Sequence, residues 1–306
     1  MIGGERLIIE VPASTANLGP GFDSIGLALN LYLRMEVVKQ DQWEVIPMTE
    51  ELSMYPSDKK NFIIQTAIET AKEFQAEIPP CQVIIDSDIP IARGLGSSAS
   101  AIVAGIELAD ALCELHLSKQ EKLRVAAMFE GHPDNVGASL MGGLVIGNQS
   151  KTDVDAVVFR ELEVEVIACI PSTELLTKES RGLLPEHLSF KDAVQAGAVG
   201  NVMIASLLSG NYELAGKMMM QDLYHHPYRK QVVPHLEEIE KLAPSLGALG
   251  VALSGAGPTV LCLVAPGRGL EVAQGLAVEM PHMKFNCLHI DQVGSRVYKK
   301  NMNVTC

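Results

Sequence analysis

Apolar and polar residues along the chain switch repeatedly between a period of two and one near 3.6, the mark of a mixed α and β protein. Segments rich in Ile and Val, bounded by polar or turn residues, predict strands at Leu7–Val11, Leu31–Val38, Trp43–Pro47 and Cys81–Ser87. Asn61–Phe74 carries a helical spacing. So does Ser97–Leu115, where Ile102, Ile106, Ala109 and Cys113 recur at intervals of four, three and four while Glu107, Asp110 and Glu114 take another face. After the glycine-rich Gly137–Gly147, the polar run Asn148–Asp153 marks a boundary between two halves, 1–153 and 154–306. The second half restarts with a strand at Val164–Ile170 and continues through two or three helices between Asp192 and Leu242. Strands at Val251–Leu253 and Thr259–Val264, a helix at Leu270–Met280 and a strand at Phe285–Ile290 close it. Strands and helices do not alternate strictly, which favours an α+β architecture over a doubly wound sheet. Leu242–Gly267 has no charged residue and is long enough to span a bilayer, but Ser254-Gly255-Ala256-Gly257-Pro258 in its middle breaks a helix. Two short apolar runs around a glycine turn are expected there, and no membrane partner.

The chain has 306 residues, 47% hydrophobic and 20% charged, a balance that excludes disordered, collagenous and coiled-coil classes. A formal net charge of −13 argues against nucleic acid or an anionic membrane as a general partner. It leaves room for a small anion, because a few arginines and a helix N-terminus make a local positive pocket on an acidic protein. Cys81, Cys113, Cys169, Cys262, Cys287 and Cys306 are scattered singly without a CxxC pair, which predicts reduced and mostly buried thiols. Met1–Arg6 runs straight into a strand pattern without the basic start and apolar core of a secretory signal, so a cytoplasmic location is expected.

The strongest chemical signal is Pro90-Ile91-Ala92-Arg93-Gly94-Leu95-Gly96-Ser97-Ser98-Ala99-Ser100, placed between a strand and the best helix pattern. Glycines let backbone N–H groups approach a phosphate, and the following helix supplies free amides and the positive end of its dipole. Ser97, Ser98 and Ser100 add hydroxyls that can cap the helix or reach a metal or phosphate, and Arg93 adds charge. The segment is neither a Walker A loop nor the GxGxxG of dinucleotide folds. Taken alone it reads equally as an anion cradle or as a tight turn before a helix.

That segment resembles the phosphate loop of the GHMP small-molecule kinases. Pro12-Ala13-Ser14-Thr15-Ala16-Asn17-Leu18-Gly19-Pro20-Gly21-Phe22-Asp23 resembles the family's first motif, and Leu253-Ser254-Gly255-Ala256-Gly257-Pro258-Thr259-Val260 its third, a glycine loop lying against the phosphate loop. Glu130-Gly131-His132-Pro133-Asp134-Asn135 narrows the resemblance to the branch that phosphorylates the side-chain hydroxyl of L-homoserine on the route to threonine. The resemblance implies an α+β fold with an N-terminal half like ribosomal protein S5 domain 2, a ferredoxin-like C-terminal half, an active site between them and a homodimer. It implies ATP on Pro90–Ser100 with Asn61 and its neighbours Lys60 and Phe62 near the adenine, and Mg²⁺ between Ser98 and Glu130. It implies that Asp23 and Asn17 receive the substrate ammonium, that Arg181 and Arg229 clamp its carboxylate, and that Thr177, His132, Asn135 and Gly255 line its pocket.

The residue chemistry agrees. Phosphoryl transfer needs a triphosphate cradle, a divalent cation and groups that align the acceptor, with little covalent work for the protein. Glu130 and the Ser98 hydroxyl are hard oxygen ligands suited to Mg²⁺. Asp134 near the acceptor hydroxyl is expected to position it rather than act as general base, because a loose transition state requires little proton removal beforehand. Three other readings stay open, the blandest being a structural or interaction protein that binds no nucleotide, which a plain failure to bind ATP would support. Another kinase of the family has no evident need for the arginine pair with Asp23, and a family-fold regulator without catalysis would be expected to lack Glu130, Ser97 or Ser98.

Overall fold

The computed structural model describes residues 5–151 and 153–301. The first part of the chain runs β1 (Glu5–Asn17), β2 (Gly21–Lys39), β3 (Glu44–Pro47), α1 (Phe62–Glu73), β4 (Cys81–Ser87), α2 (Ser97–Cys113), α3 (Lys119–Glu130), α4 (Asp134–Met141), β5 (Leu144–Gln149) and β6 (Val154–Phe159). It continues through β7 (Glu165–Ile170), α5 (Thr177–Arg181), α6 (Phe190–Leu208), α7 (Tyr212–Met219), α8 (His226–Arg229) and α9 (His235–Leu246). The last elements are β8 (Ala248–Leu253), β9 (Val260–Val264), α10 (Gly269–Glu279), β10 (Lys284–Leu288) and β11 (Arg296–Asn301).

Two sheets organise these elements. The first is seven-stranded, in the order β11-β1-β2-β4-β3, with β5 pairing the start of β2 and β6 pairing β5. The expected boundary at 153 therefore falls inside the β5–β6 hairpin of a single sheet: Asn148–Asp153 is polar because it turns that hairpin, not because it links two bodies. The final strand β11, which the sequence pattern did not suggest, returns to pair antiparallel with β1.

The second sheet is antiparallel in the order β10-β7-β9-β8, the split arrangement of a ferredoxin-like βαββαβ unit. Alternate residues of its strands point to opposite faces, and both faces are covered. Ile167, Cys169, Val251, Leu253 and Val260 pack with Leu236, Ile239, Val272 and Leu276 of α9 and α10. Val166, Ala168, Ala252 and Leu261 join a larger core with Met203, Leu207, Ala215 and Met219 of α6 and α7. Burial on both sides explains why Leu242–Gly267 carries no charge, and among the described residues no helix is long and apolar enough to cross a membrane.

Helix α2 differs from its amphipathic reading in one respect. It packs against α1, α3, α4 and β1, so the face assigned to Glu107 is also covered. Glu107 is buried and is matched there by Lys122, whose Nζ lies 2.6 Å from Glu107 and 2.6 Å from Asp110, while the Ser295 hydroxyl donates to the other Glu107 oxygen. Cys113, expected on the buried face, is only partly covered.

Candidate active site

A cleft of about 450 Å³ lies where the first sheet and its helices meet the segments around α5, α8 and the β8–β9 turn. Its floor is the loop before α2. Gly94 and Gly96 both adopt positive φ, and a Cβ at Gly96 would stand 2.2 Å from the Ser14 hydroxyl, so only glycine fits between this loop and β1. Gly96 caps α2 in the left-handed conformation, and no side chain caps the first turn of that helix. Its leading N–H groups and dipole therefore face the cleft with Ser97 and Ser98, an arrangement that suits a phosphate.

Not every residue of Pro90–Ser100 faces the cleft. Leu95 and Ala99 are buried in the core beneath it, and Pro90 is not among its lining residues. The Ser100 hydroxyl donates back to Ser97 O, and Ser100 is buried rather than presented to a ligand. Arg93 lines the cleft, but its guanidinium is turned to the segment before α5, donating to Ser172 O at 2.8 Å and pairing with Glu174 at 3.3 Å. There it ties the loop before α2 to that segment instead of offering a free charge. Asn61 also lines the cleft, yet its side chain is spent as the α1 cap, accepting from Ile63 N and donating to Pro56 O. Val45, Pro47, Leu52, Tyr55, Phe62 and Ile85 also line the cleft, a mostly apolar part of its wall. Phe62, expected beside Asn61, is among them and Lys60 is not; Val45, Pro47, Leu52, Tyr55 and Ile85 come from separate elements and form no motif, so sequence reasoning missed them.

Glu130 ends α3 and Ser98 is the second residue of α2, which brings the Ser98 hydroxyl to 3.4 Å from a Glu130 oxygen. Burial pushes the Glu130 carboxyl up, offset only in part by the charge of His132. A partly buried acid whose nearest partner is a hydroxyl is relieved by a hard cation, so these oxygens suit Mg²⁺. Two residues on, His132 Nδ1 stands 2.5 Å from Asp134 Oδ1, which also accepts from Asn135 N at 2.7 Å. Burial works against the His132 imidazolium, but the hydrogen bond and charge of Asp134 outweigh it and raise the group. Asn135 is fastened through Nδ2 to the Ser14 hydroxyl and carbonyl.

Where β1 passes into β2, Asn17, Leu18 and Asp23 are at positive φ, and an Asp23 oxygen lies within 4.8 Å of the His132 and Asp134 side chains. Such backbone is uncommon outside glycine and collects at functional sites. Asn17 acts as a strut: its Nδ2 donates to Gly255 O and its Oδ1 accepts from Asp23 N, so its polar atoms are engaged within the protein. Asp23 forms a bidentate pair with Arg181, Oδ1 to Nη2 at 2.6 Å and Oδ2 to Nη1 at 3.0 Å. The two residues expected to receive opposite ends of a zwitterion thus touch each other. Thr177, at the first position of α5, lines the same wall.

Arg229 is 1% exposed and lines the cleft. Its described hydrogen-bond partners are all neutral: Gly255 O at 3.0 Å, Ser180 O at 3.4 Å and His225 Nδ1 at 3.2 Å. Burial and the neighbouring Arg181 charge hold its pKa down at about 10. Phe22 lies between the arginines, its ring 5.5 Å from each guanidinium carbon, a contact worth roughly 1 kcal/mol per cation. Phe22 and His225 were not singled out as site residues from the sequence. Phe22 sat inside the first motif, and the spacing of His225 to Arg229, one helical turn, was the available signal.

The described residues match the GHMP kinases N terminal domain over 61–143 and the GHMP kinases C terminal domain over 203–279. A homoserine kinase of Bacillus licheniformis is 47% identical over 295 residues, spanning 96% of each chain. One of Bacillus velezensis is 48% identical over 287 residues, 94% of this chain and 93% of that one. The crystal structure of a homoserine kinase from Cytophaga hutchinsonii, 24% identical, superposes with a TM-score of 0.83 over 96% of this chain and 97% of that one, a likeness of fold. With nearly half of all positions identical along almost the full length of its relatives and both family domains matched, this chain belongs to the GHMP kinase family.

Proposed function

We propose that the chain is a homoserine kinase, which transfers the γ-phosphoryl group of ATP to the side-chain hydroxyl of L-homoserine and yields O-phospho-L-homoserine and ADP for threonine synthesis. The observation that carries the substrate is Arg229: a buried cation on the cleft wall with no carboxylate partner among the described residues. Burying an unpaired charge is costly, so a site that keeps one is organised for an anion. Asp23 and Arg181 stand on the same wall, giving one acid and two bases for a ligand with one ammonium and one carboxylate.

The triphosphate would lie on the first turn of α2, with the Ser97 and Ser98 amides and hydroxyls as donors. Mg²⁺, held by Ser98 and Glu130, would neutralise charge on the transferring phosphate. Asn135, His132 and Thr177 line the space between that loop and the arginines, where the acceptor hydroxyl would be aligned. In the transfer, the acceptor oxygen bonds to the γ-phosphorus, the bond to the β–γ bridging oxygen breaks, and the hydroxyl proton leaves to phosphate or solvent. Asp134 already accepts from His132 and Asn135 N through one oxygen, which supports a positioning role over base catalysis. The reading includes the cytoplasm as compartment and a homodimer as assembly.

ADP release from ATP tests it, run with L-homoserine, D-homoserine, L-serine, mevalonate or no acceptor. Release is expected with L-homoserine alone and is abolished by EDTA. Preference for mevalonate would overturn the arginine assignment while leaving the family intact, and ATP binding without turnover would favour a regulator.

A further inference from the structure

Arg229 needs acceptors to hold its direction, and the kind of acceptor decides whether its charge survives. Arg181 is matched internally by the Asp23 carboxylate. Arg229 instead bonds two backbone carbonyls and an imidazole. That imidazole belongs to His225, fully buried at the start of the α8 turn. Its Nε2 faces two acceptors, Gly19 O at 3.0 Å and Asp222 Oδ2 at 3.5 Å, whereas its Nδ1 faces only the Arg229 guanidinium, a pure donor. The partners therefore assign the proton to Nε2 and leave the Nδ1 lone pair for Arg229. Burial and the Arg229 charge push the His225 pKa down to about 3, so the ring stays neutral at working pH.

The surroundings hold the ring in place. Asp222 accepts from Tyr224 N, His225 N and His226 N at 2.7–2.9 Å, fixing the backbone at this corner. The Phe22 ring packs 5.4 Å from the His225 ring. Gly19, whose carbonyl faces the ring, has φ +82, and a Cβ there would come 2.2 Å from Met219 O, so the turn packs closely on the end of α7 and only glycine fits.

We propose that His225 is a positioning residue that aims the Arg229 guanidinium into the cleft through a neutral acceptor and so preserves its charge for the carboxylate of the amino-acid acceptor. A carboxylate at 225 would orient the arginine equally well but cancel the charge, as Asp23 does for Arg181. His225 also joins Arg229 to the turn that carries Asp23, which keeps the anion- and cation-binding ends of the cleft in register. The inference rests on the reading of Arg229 as the carboxylate ligand.

Two substitutions separate the two ring nitrogens. In His225→Asn the amide oxygen falls near the place of Nδ1 and still accepts from Arg229, while the tie to Gly19 is lost. In His225→Gln the amide reaches the place of Nε2 and the acceptor for Arg229 is lost. A hydrogen bond to a charged group corresponds to about 10- to 100-fold in affinity. His225→Gln is expected to raise the homoserine KM by about tenfold or more with the ATP KM within about twofold, and His225→Asn to recover most of that loss. Equal effects of the two variants, or parallel shifts in both KM values, would overturn the proposal. Arg229→Leu separates the failures: if it leaves the homoserine KM unchanged, the carboxylate reading falls and takes this inference with it; if it raises KM while His225→Gln does not, the inference alone falls. Should the variants fold poorly, nitrogen-15 NMR of the histidines in the unmodified protein decides. A neutral His225 protonated on Nε2 from pH 5 to 9 is expected, and an imidazolium or an Nδ1–H tautomer would overturn the assignment.

Discussion

Asp23→Asn separates what the Asp23–Arg181 pair does for the fold from what Asp23 does for a ligand. The residue sits at φ +54, a conformation asparagine tolerates better than other side chains, so the substitution removes charge with little backbone strain. The pair is bidentate, but its side chains are 33% and 37% exposed, and ion pairs in that setting contribute about 0.5–1 kcal/mol. Thermal unfolding should therefore move by only about 1–3 °C. The effect on the acceptor is larger. An ammonium loses a charge-assisted partner worth about 2–3 kcal/mol, or about 30- to 150-fold in KM. Arg181 is released at the same time, leaving two unmatched guanidiniums beside Phe22 that repel an ammonium and attract a carboxylate. ADP release titrated with L-homoserine should show the KM rising by that factor at near-constant ATP KM. Inhibition by 4-hydroxybutyrate, which carries the carboxylate and hydroxyl without the amine, should strengthen in the variant. A homoserine KM within about threefold of the original, or an ATP KM rising in step, would refute Asp23 as the ammonium ligand.

Glu130→Gln should lower kcat by about 100-fold or more, whereas Asp134→Asn should keep at least about a tenth of the turnover; comparable losses in steady-state assays would make Asp134 a general base. Gly216→Ala should lower the melting temperature by about 5 °C or more, because its Cβ would stand 2.0 Å from Leu249 O where α7 lies on β8, and calorimetry showing no change would mean this contact relaxes freely. In the native protein, Cys113 and Cys287 should react with a thiol reagent far faster than Cys81, Cys169 and Cys262, which are buried; burial pushes the Cys81 thiol up to about 12. Rapid labelling of Cys81 before unfolding would contradict that burial.

What the sequence reveals divides along physical lines. Strands and helices with strong periods were legible, Cys81–Ser87 to the residue, because burial on a defined face leaves a pattern. Helix α2 was legible in place but not in its surroundings: Glu107 reads as a solvent-facing charge until Lys122 is brought against it from α3. Strand β11 was not legible, since Lys299 and Lys300 lie on an edge strand where pairing to β1, not burial, makes the strand. Direction was equally hidden. Arg93 has the right chemistry for a phosphate and the right neighbours in sequence, yet Ser172 O and Glu174 claim its guanidinium. Cys306 lies outside the described residues.

The three glycine-bearing segments behave as one object, and this explains why so few of their side chains face the cleft. Ser14 N donates to Leu95 O, Gly255 N to Ala16 O and Thr259 N to Arg93 O, so the first segment, the loop before α2 and the β8–β9 turn are joined through their backbones. The Ser254 hydroxyl bonds Thr15 and Gly94 O, and Ser14 receives both Asn135 and Ser139. Buried hydroxyls and amides in such a network cost free energy unless all are satisfied, so each position tolerates few residue types. The residues that make the segments recognisable are therefore largely the ones that lock the loops together. Ser98, Glu130, Asp23 and Arg229 stand on the edges of that locked body, where the cleft begins. Substituting a network serine such as Ser14 should then cost stability and homoserine and ATP affinity together, whereas an edge residue should affect one ligand alone. That contrast in KM values distinguishes scaffold from contact without a bound structure.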